Sequence, residues 1–535
     1  MKDTVMSART TLRGVIVMLA VGALGLAGCS EDEQPPQDVF GYAVDTPLVT
    51  TNAASTIGAS TNAEQLASRL YPPVFVHGPQ GQTIPNMDLA QGQALPGESV
   101  QIIYTINKRA TFSDGEPVTC DDFYLSFKAA TEEAYFKAYN PLMQQVADVK
   151  CEHGSTTFTV QFKDKFGSRW RQLFGPGTVL PSHIIARAAE MSEEDMWRAL
   201  DSGDAPAMEK IGQAWNDTFL LKNFRPELHA SSGPMKISEV LEDGSVVLVP
   251  NPHYAGDAPS LDKIVVYPSG VDRVAKAEEN SLEIADMVNA SSIDWVDRND
   301  TSNPYEVTRE VGQLIEQLNL ANAGVLATPE KRRGFAACVD QHQIARLSSE
   351  YSGVDVPPVG TRLSPAIAPT FENTRDISDR NLGTDIGKAR QELEGATIRI
   401  GYTAPDPRKK AIVEAIAASC SEAGITIEDV SDITNDLGDL PRTASNEWGG
   451  PADVEGKADA ILVAVDTRTE YASVNAPANN SQLLRHAEER LWDEIPSIPL
   501  AAQPRTFVVD KSVGNVIPNT SRAGIGWNMS RWQVS

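Results

Sequence analysis

The sequence predicts a mixed α/β chain of several lobes, and three observations carry that prediction. Residues 397–402 read as a strand, 408–423 as a helix and Ile425-Thr-Ile427 as a second strand. Ile412, Ile416 and Cys420 share one face of that helix, and Gly424 follows as a residue suited to end it. A strand–helix–strand unit of this spacing predicts a parallel sheet. Residues 99–106 alternate, with Val100, Ile102, Tyr104 and Ile106 on one face, and residues 157–162 repeat the pattern with Phe158, Val160 and Phe162. Both read as half-buried strands. Finally, 535 residues suffice for two or three domains at roughly 150 residues each.

Taken in order, the chain begins with Lys2, Arg9 and Arg13 against Asp3, then an apolar run from Gly14 to Leu26, then Ala27-Gly28-Cys29. A basic start, a short apolar run and small residues make a secretory signal, and the run is short for a membrane span. Leu26-Ala-Gly-Cys29 resembles the bacterial lipobox, which implies cleavage after Gly28 and a lipid on Cys29. Residues 29–40 are polar and acidic and read as a tether. Further on, Thr119-Cys-Asp-Asp122 resembles a capping box opening a helix whose Phe123 and Phe127 lie four apart. Residues 246–249 and 264–267 are further strands, the first after the turn Glu242-Asp-Gly-Ser245. Residues 331–347 read as one helix with Phe335, Cys338 and Val339 at a common spacing.

Composition narrows the function. With 46 basic and 72 acidic residues the formal charge is −26, which argues against nucleic acid or an anionic membrane surface as an electrostatic partner. The chain has five cysteines. With Cys29 set aside as the lipid anchor, Cys120, Cys151, Cys338 and Cys420 remain, an even number that suggests two disulfides in an exported protein. Three pairings are open; Cys120–Cys151 with Cys338–Cys420 keeps each bridge local. No C-x-x-C or Cys/His cluster stands at ligand spacing, so neither a metal nor another cofactor is expected. There is no G-x-S-x-G, H-E-x-x-H or P-loop, which counts against an exported hydrolase.

Six stretches, in order, resemble the peptide- and nickel-binding family of ABC-transporter solute-binding proteins. They are Ala110-Thr-Phe-Ser-Asp-Gly-Glu-Pro-Val-Thr-Cys-Asp-Asp-Phe123, Leu180-Pro-Ser-His-Ile184, the block from Ser232-Gly-Pro-Met-Lys236 through Val249-Pro-Asn-Pro-His-Tyr-Ala-Gly256 to Pro259-Ser-Leu-Asp-Lys-Ile264, Arg333-Gly-Phe-Ala-Ala-Cys-Val-Asp340, Pro496-Ser-Ile-Pro-Leu500 and Gly526-Trp-Asn-Met529. Their residues read as turns and strand ends, so they mark the fold rather than ligand contacts. The resemblance implies a periplasmic-binding-protein-like fold of two lobes with an extra domain, three domains around a hinge and a ligand cleft. Domain I would take residues 41–70, 181–313 and 501–535, domain II 71–180 and domain III 314–500, with one disulfide in each of the last two.

What the resemblance implies for function is capture of oligopeptides or dipeptides, with no catalysis. The partners would be a membrane permease and, through it, its ATPases, with the Cys29 lipid holding a monomer on the extracytoplasmic face of the cell membrane. A non-peptide solute, such as a metal chelate, haem or a glutathione-like molecule, or a sensing role, is the alternative. Asp466, after the strand-like Asp459-Ala-Ile-Leu-Val-Ala-Val, is similar to the family's partner for a peptide amino group; the alternative is a solvated loop carboxylate. Trp448 precedes that strand as cleft tryptophans do in some relatives, or else is a packing or loop-tip residue. Asn52, after a segment similar to the first strand of actinobacterial members, would offer an amide to ligand or serve a turn. The stretch from Asp459 to Ile498 is shorter than the family commonly has, so the wall around the ligand is expected to be trimmed or rebuilt.

Overall fold

The computed structural model describes residues 39–97, 99–289, 293, 295–296, 302–445, 451–477 and 480–534. The signal segment, Cys29 and nearly all of the tether lie outside the described residues. One ten-stranded sheet organises the rest. From one edge its strands are Thr426–Asp429, Thr397–Tyr402, Ala460–Val465, Tyr305–Leu320, Ser497–Asp510, Ile284–Met287, Phe40–Val44, Ile264–Tyr267, Val246–Pro250 and Met235–Val240. Phe40–Val44 is parallel to both its neighbours, as is Thr397–Tyr402. The remaining pairs are antiparallel. The strand–helix–strand unit therefore has the expected parallel strands, but the sheet around it is mixed, because two long strands of 16 and 14 residues run antiparallel through its centre.

Those two strands join halves that bury separate apolar cores. One core gathers Tyr42, Val266 and Ile284 from the large sheet, Tyr104, Phe123 and Phe158 from a second sheet and its helix, and Trp532 from the C-terminal region. The other gathers Ile315, Phe335, Ile398, Ile412, Leu462 and Ile498. The second sheet is antiparallel, with Gln101–Ile106 between Ala90–Leu95 and Thr157–Phe162, and Val146–Lys150 at the edge. The helix Cys120–Thr131 carries the expected capping box, with Thr119 and Asp122 satisfying each other's backbone N–H groups.

Two of the motifs explain each other here. Asp122 also accepts from the backbone and hydroxyl of Ser182, and Asp114 meets His183 Nε2 at 3.0 Å, so the first motif is pinned to Leu180-Pro-Ser-His-Ile184. Gly115 takes a φ of +95°, the left-handed region a tight turn needs.

The single helix expected over 331–347 is two, Pro329–Ala336 and Gln341–Ser352. Asp340 accepts from Gln343 N and caps a new start. The helix expected over 408–423 is Pro407–Ser421, begun by the Asp406 cap and Pro407 in its first turn. Cys120 is bonded to Cys151 and Cys338 to Cys420, closing intervals of 31 and 82 residues. Among the described residues no helix is long and apolar enough to cross a membrane.

Candidate functional site

The two halves of the large sheet are staggered along its central strands. Ile284–Met287 pairs with residues 506–509, whereas the other half reaches residues 497–502 through 315–319. The carboxyl ends of Phe40–Val44 and Ile284–Met287 thus face those of Thr397–Tyr402 and Ala460–Val465 across a crevice, with Gln503–Arg505 along its floor. The pairing of the long strands slips at this point, between Val311 and Ile315. Carboxyl ends of strands at a change in sheet order are where open α/β sheets hold ligands, because turns and free backbone groups collect there.

Polar groups line this seam. Asp45 accepts from Val288 N at 2.7 Å and from Arg273 Nη2 at 2.7 Å. Asp286 holds Arg505 and accepts from Ile525 N at 2.9 Å. Behind it Glu316 and Arg408 form a buried bidentate pair, 2.5 Å at each contact. Lys409 also faces the seam, and burial lowers its pKa against the pull of Asp406 and Glu316. The space left is about 50 Å³, room for little more than a water or two.

A larger cavity of about 520 Å³ adjoins it, within the range small solutes occupy. Glu64, Arg69, His77, Asp466 and Arg522 line it, with Tyr254 and Trp527 supplying rings. Arg522 stands between the two spaces. It donates to Ala59 O at 2.6 Å and Ala464 O at 3.3 Å, on opposite sides of the seam, and meets Glu64 at 3.1 Å. Burial pushes the Glu64 carboxyl up to about 7, with Arg522 opposing. Burial and the Arg468 charge bring the His77 imidazole down to about 3, so it is neutral.

Asp466 lies in the wall of this larger cavity, and it is occupied. Arg468 Nε sits 2.9 and 3.1 Å from its two oxygens, and Nη2 completes the fork. Burial alone would raise this carboxyl, but the Arg468 charge and hydrogen bonds outweigh it and hold the group far below the usual carboxylate range. Asn52 lines neither space. Its Oδ1 accepts from Ala54 N at 3.1 Å and its Nδ2 donates to Trp215 O at 3.4 Å, so the amide serves a turn. Trp448 lies outside the described residues.

Arg69, His77, Lys409 and Arg522 went unmarked in sequence, since no motif holds them and folding alone brings residues 69 and 522 together. Only Arg468, two residues after Asp466, was in plain view as a partner. Among the described residues the one group with metal-ligand proximity is Cys120, Asp121 and Cys151, and its sulfurs are committed to a disulfide.

Comparison with known proteins adds three findings. Residues 87–453 match the family model described as bacterial extracellular solute-binding proteins, family 5 Middle. The chain is 32% identical over 571 aligned positions to an uncharacterized lipoprotein of Mycobacterium tuberculosis, covering 98% of each. Among solved structures, the oligopeptide-binding protein AppA from Bacillus subtilis, in complex with a nonapeptide, superimposes with a TM-score of 0.66 at 14% identity, covering 94% of this chain and 100% of that one. NikZ from Campylobacter jejuni, in complex with Ni(L-His), gives 0.60 at 14%, covering 93% and 100%. At that identity the structural likeness speaks for the fold: mixed α/β, two lobes about a cleft.

Proposed function

This chain belongs to family 5 of the bacterial extracellular solute-binding proteins, and from that premise we propose that it captures short peptides between its lobes and delivers them to the membrane permease of an ABC importer. The observation that supports this most is the polar seam: two halves with separate apolar cores, joined by two long strands, with charged groups where they meet. Halves arranged this way can rotate apart about the strands that connect them, and a solute touching both shifts the population toward closure. The adjoining cavity sets the Arg69 guanidinium beside the ion pairs Glu64–Arg522 and Asp466–Arg468, a charged lining suited to a zwitterion such as a peptide.

No step of this reading requires catalysis. Lipid on Cys29 would keep the protein beside its permease and raise their effective concentration. The three-domain division at residues 41–70 with 181–313 and 501–535, at 71–180 and at 314–500 belongs to the same proposal.

Native mass spectrometry of the protein, purified without unfolding, tests the ligand. A ladder of peptide masses is expected. A single non-peptide mass would replace peptides by the alternative solute class and leave capture standing.

A further inference from the structure

Buried polar atoms that lack a hydrogen-bond partner are few in folded proteins, and each calls for an explanation. Here three residues with such atoms border one space, the larger cavity: Ser68 Oγ, Arg69 Nε and Nη2, and His77 Nδ1. Arg522 has Glu64 for an ion-pair partner. Arg69 has less. It is 3% exposed, its Nη1 donates to Gln65 O, and its guanidinium lies 5.7 Å from the centre of the Tyr42 ring. The nearby Asp286 is taken by Arg505 and Ile525 N. Every one of these unpartnered atoms can donate, so the group that complements them is an acceptor, and beside a guanidinium it is an anion.

We propose that Arg69, with Ser68 and His77, forms the subsite for a carboxylate of the captured solute. A carboxylate offers two oxygens to the Nε–Nη2 edge of Arg69, the bidentate geometry that guanidinium favours. Gly526 packs over the guanidinium: a Cβ there would lie 2.3 Å from Arg69 Nη2, 2.9 Å from Cζ and 3.3 Å from Nη1. The segment Ile525–Arg531, which carries Trp527 and Met529 into the cavity wall, must therefore shift for the acid group to reach its donors. The inference rests on solute capture and names the chemistry of what is captured.

Two measurements on wild type and Arg69→Met decide it. Solutes released from each purified protein are weighed before and after methyl esterification, which adds one methyl for each free carboxylate. Midpoints of thermal unfolding are compared after solute removal. Wild type is expected to release carboxylate-bearing solute and Arg69→Met at least tenfold less, while the emptied variant unfolds at the same temperature as wild type or higher, because an unpartnered buried charge has gone. Undiminished solute in the variant, or solute without an acid group from wild type, overturns the subsite and leaves capture intact. Loss of solute together with a lowered unfolding temperature also overturns it, since Arg69 would then be structural. A wild type that releases no solute at all counts against capture itself, and the subsite falls with it.

Discussion

Contacts inside each half of the molecule and contacts between the halves are made of different chemistry. Inside, the helix Pro407–Ser421 drives Ile412 and Ile416 against Ile398, Ile400 and Phe335, all essentially buried. Between, the principal fastener is one side chain. Arg169, next to the four-stranded sheet, donates to the carbonyls of Arg468, Glu470, Tyr471 and Val474 at 2.6–3.1 Å. Gln145 adds bonds to Ala472 and Val474, and Ser168 N donates to Asn475. A modest apolar patch, in which Ala59 and Tyr139 meet Leu437 and Val463, accompanies them, and Tyr139 bonds Glu470 and Asn319 beside it. Apolar burial is lost in full when surfaces part, at roughly 25 cal/mol per Å². Hydrogen bonds are largely exchanged for water, with a net change of about 1 kcal/mol each. On the capture proposed above, the halves separate at modest cost while each stays folded.

The sharpest way to break that contrast is to damage an interior that is itself polar. Glu316 and Arg408 are 1% and 0% exposed, and each is the other's charge partner. Arg408→Ala leaves a buried carboxylate unpaired and is expected to lower the unfolding free energy by about 3–5 kcal/mol in urea denaturation. The double replacement Arg408→Met with Glu316→Leu is expected to recover most of that loss. A single substitution costing under about 1 kcal/mol would mean that this half yields as easily as the seam.

Arg169→Ala tests the other side of the contrast. Its expected effect on unfolding is small, within about 1–2 kcal/mol, because the freed carbonyls meet water as the halves part. Its effect on shape is larger: losing about 1.4 kcal/mol of closure shifts the open-to-closed ratio tenfold, readable as a greater radius of gyration in small-angle scattering of solute-free protein. An unchanged radius with a loss of several kcal/mol would make Arg169 part of a single rigid body and erase the distinction drawn above.

What the sequence made legible divides along the same line. The interior was readable because its signals are local: alternation at residues 157–162, the capping box at Thr119 and Asp122, and glycine after the helix that Asp406 and Pro407 begin. The break at Asp340 was hidden because a cap and a helix-interior aspartate look alike until the backbone is seen. The seam was not readable, since its chemistry is assembled from positions hundreds of residues apart. Asp466 was found through a resemblance, yet the same stretch held Arg468, which takes both its oxygens. Asn52 was singled out beside a strand end, where its amide makes a turn.

The smallest expected effect sharpens the comparison most finely, because it asks whether a charge at the seam behaves as a buried or a surface group. Glu64 pairs with Arg522 at the boundary between the two spaces, and burial raises its pKa from 4.5 to about 7. A carboxyl raised on folding binds its proton more tightly in the folded state. The folded protein then holds more protons than the unfolded chain between about pH 4.5 and 7, so the contribution of Glu64 to stability is fully present below that window and falls as pH rises through it. Glu64→Gln removes this term while keeping the side chain's shape. The slope of unfolding temperature against pH between 5 and 7 is expected to be less negative in the variant than in wild type, by an amount equivalent to about 1 kcal/mol across the window once ion pairing and solvent are allowed for. Identical slopes would mean that Arg522 keeps Glu64 ionised, and the seam at that point would be a salt bridge open to water.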